Sequence, residues 1–212
     1  CSSDLTIRIH FPRTMVDIEE ARRRLEAEEL FYLKLATERM KAEEREDLRG
    51  RAMSAGDVET FLTLVPFEPT GAQRNALQEV NTDLGSPAAM RRLLQGDVGS
   101  GKTLIAFFAA WKAVMNRHQA VLMAPTEILA RQHYDDAKAF FQDTVRVGIL
   151  TGSLSASERD ATRSAVACGE IDFLIATHAA IEDSVEFCDL AQVTVDEQHR
   201  FGVTQRLRLA QK

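Results

Sequence analysis

The sequence predicts an α/β fold: a mostly parallel sheet between helices, preceded by a long N-terminal helix. Three observations predict it. Short apolar runs alternate with helix-length amphipathic segments from about residue 66 onward, which calls for crossover connections and a parallel sheet. A glycine-rich loop at 96–103 runs straight into an apolar helical stretch. Residues 14–49 hold no glycine or proline and are dense in Ala, Arg, Leu and Glu, all strong helix formers.

The elements follow in order. Residues 1–13 form an irregular lead-in containing Pro12. The long helix has Thr14 with Asp17 as its N-terminal signal and Gly50 as its stop. Its middle, Leu30 to Leu35, is apolar, and its end, KAEEREDLRG, reads as a solvated face. A lone helix of this kind needs something to lie against. The division expected is residues 1–50 as a linker segment and 51–212 as one nucleotide-binding lobe. A short helical stretch is expected near 57–64. Longer helices are expected at about 71–84, 102–116, 127–141 and 156–168. The last has Ser155 and Glu158 at capping-box spacing and Gly169 just beyond its end. Strands are expected at Leu93-Leu94, Ala120–Met123, Val145–Leu150, Phe173–Ala176 and Val193–Val195.

Composition bounds the function. The chain has 212 residues, 45% of them hydrophobic and 27% charged, as an ordinary globular protein has. No apolar run reaches the roughly eighteen residues that span a bilayer, and the N-terminus lacks the layout of a signal peptide. A cytoplasmic protein without a membrane partner is expected. Three cysteines, Cys1, Cys168 and Cys188, fit no metal-ligand spacing and read as free thiols. The net charge of −6 is unusual for a nucleic-acid-binding module, although it leaves room for a local basic stripe. The chain opens on Cys1 rather than Met and is expected to be a piece of something longer.

Gly96-Asp97-Val98-Gly99-Ser100-Gly101-Lys102-Thr103 is a P-loop pattern. Its glycines, Gly96, Gly99 and Gly101, let the loop curl so that backbone N–H groups, that of Ser100 among them, converge on phosphate oxygens. The following helix adds the partial positive charge of its N-terminus. Lys102 is placed to reach the terminal phosphates of ATP, and the Thr103 hydroxyl to bind Mg²⁺.

Asp196 and Glu197 end the apolar run Val193-Thr194-Val195. In a parallel sheet that position lies at the edge where ligands bind. Asp196 suits Mg²⁺ held through its water shell, and Glu197 suits orienting or deprotonating an attacking water. A solvated strand end explains an Asp-Glu pair taken alone. About ninety residues after a P-loop, the pair points to nucleoside triphosphate hydrolysis. Gln73 has two readings. With Thr70 it has capping-box spacing; alternatively its amide reads the edge of adenine with Phe67 stacked on the ring.

These stretches, taken together, resemble superfamily-two helicases, and most closely the RecG type. The residues that carry the resemblance are PTGAQ at 69–73, LLQGDVGSGKT at 93–103, MAPTEILARQH at 123–133, TGS at 151–153, ATHA at 176–179 and DEQHRFGVTQR at 196–206. The lead-in HFP at 10–12 and the helix IEEARRRLEAEELF at 18–31 are similar to the segment that joins that family's wedge domain to its motor. The resemblance implies a RecA-like P-loop NTPase lobe using ATP and Mg²⁺. It implies that Pro125, Thr126, Gly152, Thr177 and His178 line a DNA track, and that His199, Arg200 and Gln205 couple nucleotide to DNA. It implies a bacterial motor acting on branched or duplex DNA, with a second lobe, its arginine fingers and the wedge domain outside this chain. On that expectation the chain binds nucleotide and turns it over barely.

Plainer roles exist for several of these residues. Thr126 can simply cap the helix that begins at Glu127, His178 can be a polar strand-end residue, and Arg200 can form a surface ion pair. Two rival functions also stand. One is another motor of the superfamily, a transcription-repair coupling factor or primosomal helicase, against which Gln198 and the HFP lead-in count. The other is a nucleotide-dependent switch ATPase that never touches nucleic acid, which the acidic charge fits.

Overall fold

The computed structural model describes residues 11–12, 14–47, 50–177 and 185–197. The chain divides into two compact units, Cys1–Arg49 and Gly50–Lys212. The first holds one helix, α1 (Met15–Asp47). Its surface carries i,i+4 ion pairs, Arg22 with Glu26 at 2.9 Å and Lys34 with Glu38 at 3.0 Å. Such exposed pairs contribute about 0.3–0.5 kcal/mol each. Leu30, Phe31, Tyr32, Leu33 and Leu35 all lie exposed along it.

The second unit is the α/β body. It opens with α2 (Val58–Leu62) and α3 (Gly71–Leu84). Asp57 caps α2 by accepting from the Thr60 N–H at 2.7 Å, and this backbone bond holds the Asp57 carboxyl below its ordinary range. Thr70 and Gln73 form a complete capping box on α3. The positions Leu77, Val80 and Leu84, three and four residues apart, form its buried stripe. Next comes α4 (Lys102–Met115), whose residues from Leu104 to Ala113 are nearly all buried. Among them is Lys112, whose ammonium donates to the Gly56 carbonyl at 2.9 Å and to Asn81 Oδ1 at 2.7 Å. Those two bonds satisfy a buried cation and tie α4 to α3.

Four parallel strands follow: β1 (Gln119–Ala124), β2 (Val147–Leu150), β3 (Phe173–Thr177) and β4 (Leu190–Val195), in the order β2-β3-β1-β4. Helix α5 (Glu127–Phe141) joins β1 to β2, and α6 (Ala156–Ala167) joins β2 to β3. Strand alternation sorts the core into two layers. Ala120, Leu122, Ala124, Phe173 and Ile175 pack with residues of α2 to α5. Val121, Met123, Leu150, Leu174 and Ala176 pack with Val166 of α6 and Val185. At the heart of the first layer Phe61 is fully buried, its ring 5.2 Å from Phe108 and 5.5 Å from both Trp111 and Phe140. At the starting end of the sheet, Asp189 accepts from His118 Nδ1 at 2.7 Å and from Arg51. Both exposed cysteines described, Cys168 and Cys188, are free thiols.

The expected helices stand where the sequence places them. One expected strand does not. Leu93 and Leu94 sit in a segment without regular strand structure and are 65% and 37% exposed. A strand exists only as one rail of a hydrogen-bonded ladder, and no strand among the described residues pairs with this segment. An apolar pair before a glycine loop therefore reads as a strand from sequence without being one here.

Candidate nucleotide and nucleic-acid site

Parallel strands all end on one edge, and the register aligns those ends. Ala124 of β1 pairs with Thr177 of β3, Met123 of β1 with Val195 of β4, and Leu150 of β2 with Ala176 of β3. The residues just beyond them form one rim. Pro125 and Thr126 follow β1, Thr151 and Gly152 follow β2, Thr177 closes β3, and Asp196 and Glu197 follow β4.

The P-loop enters that rim through α4. Helices α2, α3, α5 and α6 each have a side-chain cap at the N-terminus, from Asp57, Thr70, Thr126 and Ser155. α4 has none: its N-cap is Gly101 in the left-handed conformation at φ +86. No side chain therefore closes its first turn, where the Leu104 N–H donates to the Gly101 carbonyl at 3.0 Å, and the positive end of the helix dipole is left to the loop. Gly99 also has positive φ, +82. The Lys102 ammonium donates to the Gly96 carbonyl at 2.7 Å and the Asp97 carbonyl at 2.8 Å, which uses two of its three protons and keeps the charge over the loop. Thr103 sits half-buried in the first turn.

Gln73 performs its capping role and a second one. Its Oε1 accepts from the Thr70 N–H at 2.9 Å, and its Nε2 donates to the Ser100 carbonyl at 2.9 Å. The amide therefore binds the P-loop to the start of α3. A Cβ on Gly101 would lie 2.3 Å from that Nε2, so any larger residue would have to push the Gln73 amide aside. Phe67, 53% exposed, stands on the loop leading to Thr70.

Asp196 lies across the rim. Its N–H donates to the Met123 carbonyl at 2.9 Å, and its Oδ2 is 3.0 Å from His133 Nε2 on α5. That hydrogen bond holds the Asp196 carboxyl below its ordinary range, against the upward push of partial burial; the Glu197 backbone N–H and the Lys102 charge act in the same direction as the bond. The fold thus brings the P-loop lysine and the strand-end aspartate into one electrostatic neighbourhood. His133 is only 12% exposed, and its Nδ1 is buried without a hydrogen-bond partner among the described residues. An ionised carboxylate can only accept, so the ring proton belongs on Nε2. Glu197 adopts φ +53, a left-handed conformation that costs an ordinary L-residue about 1–2 kcal/mol.

The other half of the rim is more open. Thr126 Oγ1 accepts from the Leu129 N–H at 3.3 Å, so its capping role is real. Glu127 Oε1 lies 2.8 Å from where a Cβ on Gly152 would stand, which packs the β1–α5 and β2–α6 loops together. Thr177 is buried at the end of β3. His178, His199, Arg200 and Gln205 lie outside the described residues. The residue that sequence reasoning passed over is His133. It closes the run 123–133, but its partner is 63 positions away, and only the parallel pairing of β1 with β4 joins them.

Chemically, the rim offers an uncapped helix N-terminus, a lysine, a hydroxyl and an ionised carboxylate. That donor set fits the phosphates of a nucleoside triphosphate and a hydrated divalent cation. Among the described residues no cluster of His, Cys, Asp and Glu could hold a metal by protein ligands alone. No described helix is long and apolar enough to cross a membrane.

Comparison with known proteins gives concordant results. Residues 70–211 match the family model for the DEAD/DEAH box helicase. The chain is 44% identical over 206 residues to the ATP-dependent DNA helicase RecG of Streptococcus pneumoniae, covering 96% of this chain and 31% of that protein. It is 43% identical over 207 residues to the protein of the same name from Bacillus subtilis, covering 96% and 30%. Among solved structures, that of RecG bound to a three-way DNA junction superposes with a TM-score of 0.82 at 41% identity, covering 94% of this chain and 28% of that one. The chain spans about three-tenths of the length of these relatives.

Proposed function

The chain belongs to the DEAD/DEAH box helicase family, and on that footing we propose that it is the first ATP-binding lobe of a motor that translocates on duplex DNA and remodels branched DNA, such as stalled forks and Holliday junctions, in recombination and repair. The observation that carries the reading is the meeting, on one sheet edge, of the uncapped α4 N-terminus with Lys102 and the ionised Asp196. The likeness to a RecG solved on a three-way junction supports branched DNA as the substrate class.

In this reading Gly96, Gly99, Ser100, Gly101 and Lys102 hold the phosphates of ATP. Thr103 and Asp196 would hold Mg²⁺. Bound Mg²⁺ supplies charge to stabilise phosphoryl transfer. Glu197 orients or deprotonates the attacking water. Phe67 and Gln73 recognise adenine. Gln73 retains one amide proton for this, since its other contacts go to Thr70 and Ser100. Pro125, Thr126, Gly152 and Thr177 lie on the DNA side of the rim with His178; His199, Arg200 and Gln205 transmit the nucleotide state. Residues 1–50 form the linker to a wedge domain, and a second lobe completes the ATP site and raises turnover. These relatives come from bacteria, which fits a cytoplasmic DNA-processing role.

The test is ATP hydrolysis by the protein as its own cell makes it, with three- and four-way junctions, with linear duplex and without DNA. Stronger stimulation by junctions supports the proposal. Equal or greater stimulation by linear duplex favours another motor of the superfamily. Hydrolysis indifferent to DNA favours a switch ATPase.

A further inference from the structure

We propose that His133 is a positioning residue for the metal side of the nucleotide site. Its Nε2–H bonds Asp196 Oδ2 and so fixes the carboxylate that would serve the cation. The proposal rests on reading Asp196 as the metal-side carboxylate.

Four observations carry it. The Nε2 to Oδ2 distance is 3.0 Å. The ring is nearly buried, which shields the donor side of the bond from solvent. The second ring nitrogen is buried and makes no hydrogen bond among the described residues, so the ring has no other polar tie. Finally, Asp196 is gripped twice by one structural unit. Its N–H bonds Met123 at the end of β1, and its carboxylate bonds His133 on α5, the helix that β1 feeds. His133 lies six residues into α5, about 9 Å along the axis from Glu127. A carboxylate held by backbone and side chain of the same unit keeps one orientation, whereas a carboxylate on a strand end alone rotates freely about its χ torsions. Groups that orient a ligand from behind commonly set metal affinity by about 10- to 100-fold.

The experiment titrates this chain with a fluorescent ADP analogue in Mg²⁺ and in EDTA, and takes the ratio of the two affinities. It compares wild type, His133→Ala, His133→Gln and Asp196→Asn. Glutamine places an amide N–H near the position of imidazole Nε2, so it retains the donor. The expected result is a ratio lowered roughly tenfold or more in His133→Ala, largely restored in His133→Gln, with the affinity in EDTA unchanged in both. A wild-type ratio in His133→Ala alongside a lost ratio in Asp196→Asn overturns the proposal. So does a His133→Gln that behaves like His133→Ala, because the donor is then irrelevant. A loss of affinity in EDTA also overturns it, because the ring then acts only on the fold. If Asp196→Asn keeps the wild-type ratio, the underlying reading of Asp196 fails first, and that failure is distinguishable from the others.

Discussion

Gln73 Nε2 lies 2.9 Å from the Ser100 carbonyl oxygen, so one side chain both caps α3 and holds the P-loop. The two roles separate by substitution. Gln73→Glu keeps a carboxylate oxygen for the Thr70 N–H, and so keeps the capping box. It loses the N–H donated to Ser100 and sets a negative charge against that carbonyl. The expected outcome is near wild-type thermal stability with weakened nucleotide binding. Gln73→Ala should lose both, with stability falling by about 1 kcal/mol. Thermal melts paired with nucleotide titrations check this.

Gly101 is constrained twice, by φ +86 and by the Gln73 amide 2.3 Å from any Cβ. Gly101→Ala is expected to weaken nucleotide binding, since the Gln73 amide must swing aside and the loop loses its tie through Ser100. The left-handed conformation adds a cost of about 1–2 kcal/mol. A urea titration and a binding isotherm on the same preparation measure both effects.

Asp189 gives a prediction about pH. Burial pushes its carboxyl up, but hydrogen bonds from His118 and Arg51, with their charges, outweigh it and leave the group below its ordinary value. A depressed carboxyl stabilises the fold above the unfolded-state pKa, about 3.9, and that stabilisation disappears as pH falls through the lower folded value. Wild type should therefore exceed Asp189→Asn in stability at neutral pH, and the gap should close in strong acid. Denaturant melts across that range test it. Asp189 precedes β4, at the end of the sheet opposite the P-loop rim, so nucleotide affinity should not change.

Phe61 anchors α2 among Phe108, Trp111 and Phe140, and is fully buried. Phe61→Ala should destabilise the second unit by about 3–5 kcal/mol. Because Phe108 and Trp111 belong to α4, the loosened core lies directly behind the P-loop. Equilibrium unfolding in urea supplies the number.

Much of this was legible in the sequence because it is written locally. Helix bounds followed from caps and periodicity: Ser155 with Glu158 and Thr70 with Gln73 are three residues apart and form the boxes their spacing implies. The P-loop was legible because Gly99 and Gly101 mark backbone conformations that other residues avoid. What was not legible depends on partners distant in the chain. Leu93-Leu94 has the composition of a strand, but a strand is settled by its neighbour. His133 meets Asp196 only because β1 and β4 pair in parallel with Met123 opposite Val195. Gln73 could be read as a cap or as a ligand; the Ser100 contact, 27 residues away, is a third role that spacing does not encode.

The central claim is that the rim built from α4 and β4 is a nucleotide site. The measurement that tests it most directly is a titration of this chain with a fluorescent ADP analogue in Mg²⁺, run beside Lys102→Ala. The account predicts saturable binding by wild type and a loss of roughly 10- to 100-fold in Lys102→Ala, the worth of one hydrogen bond to a charged group, with the folded spectrum intact. Equal binding by both proteins, or none by a folded wild type, would contradict it.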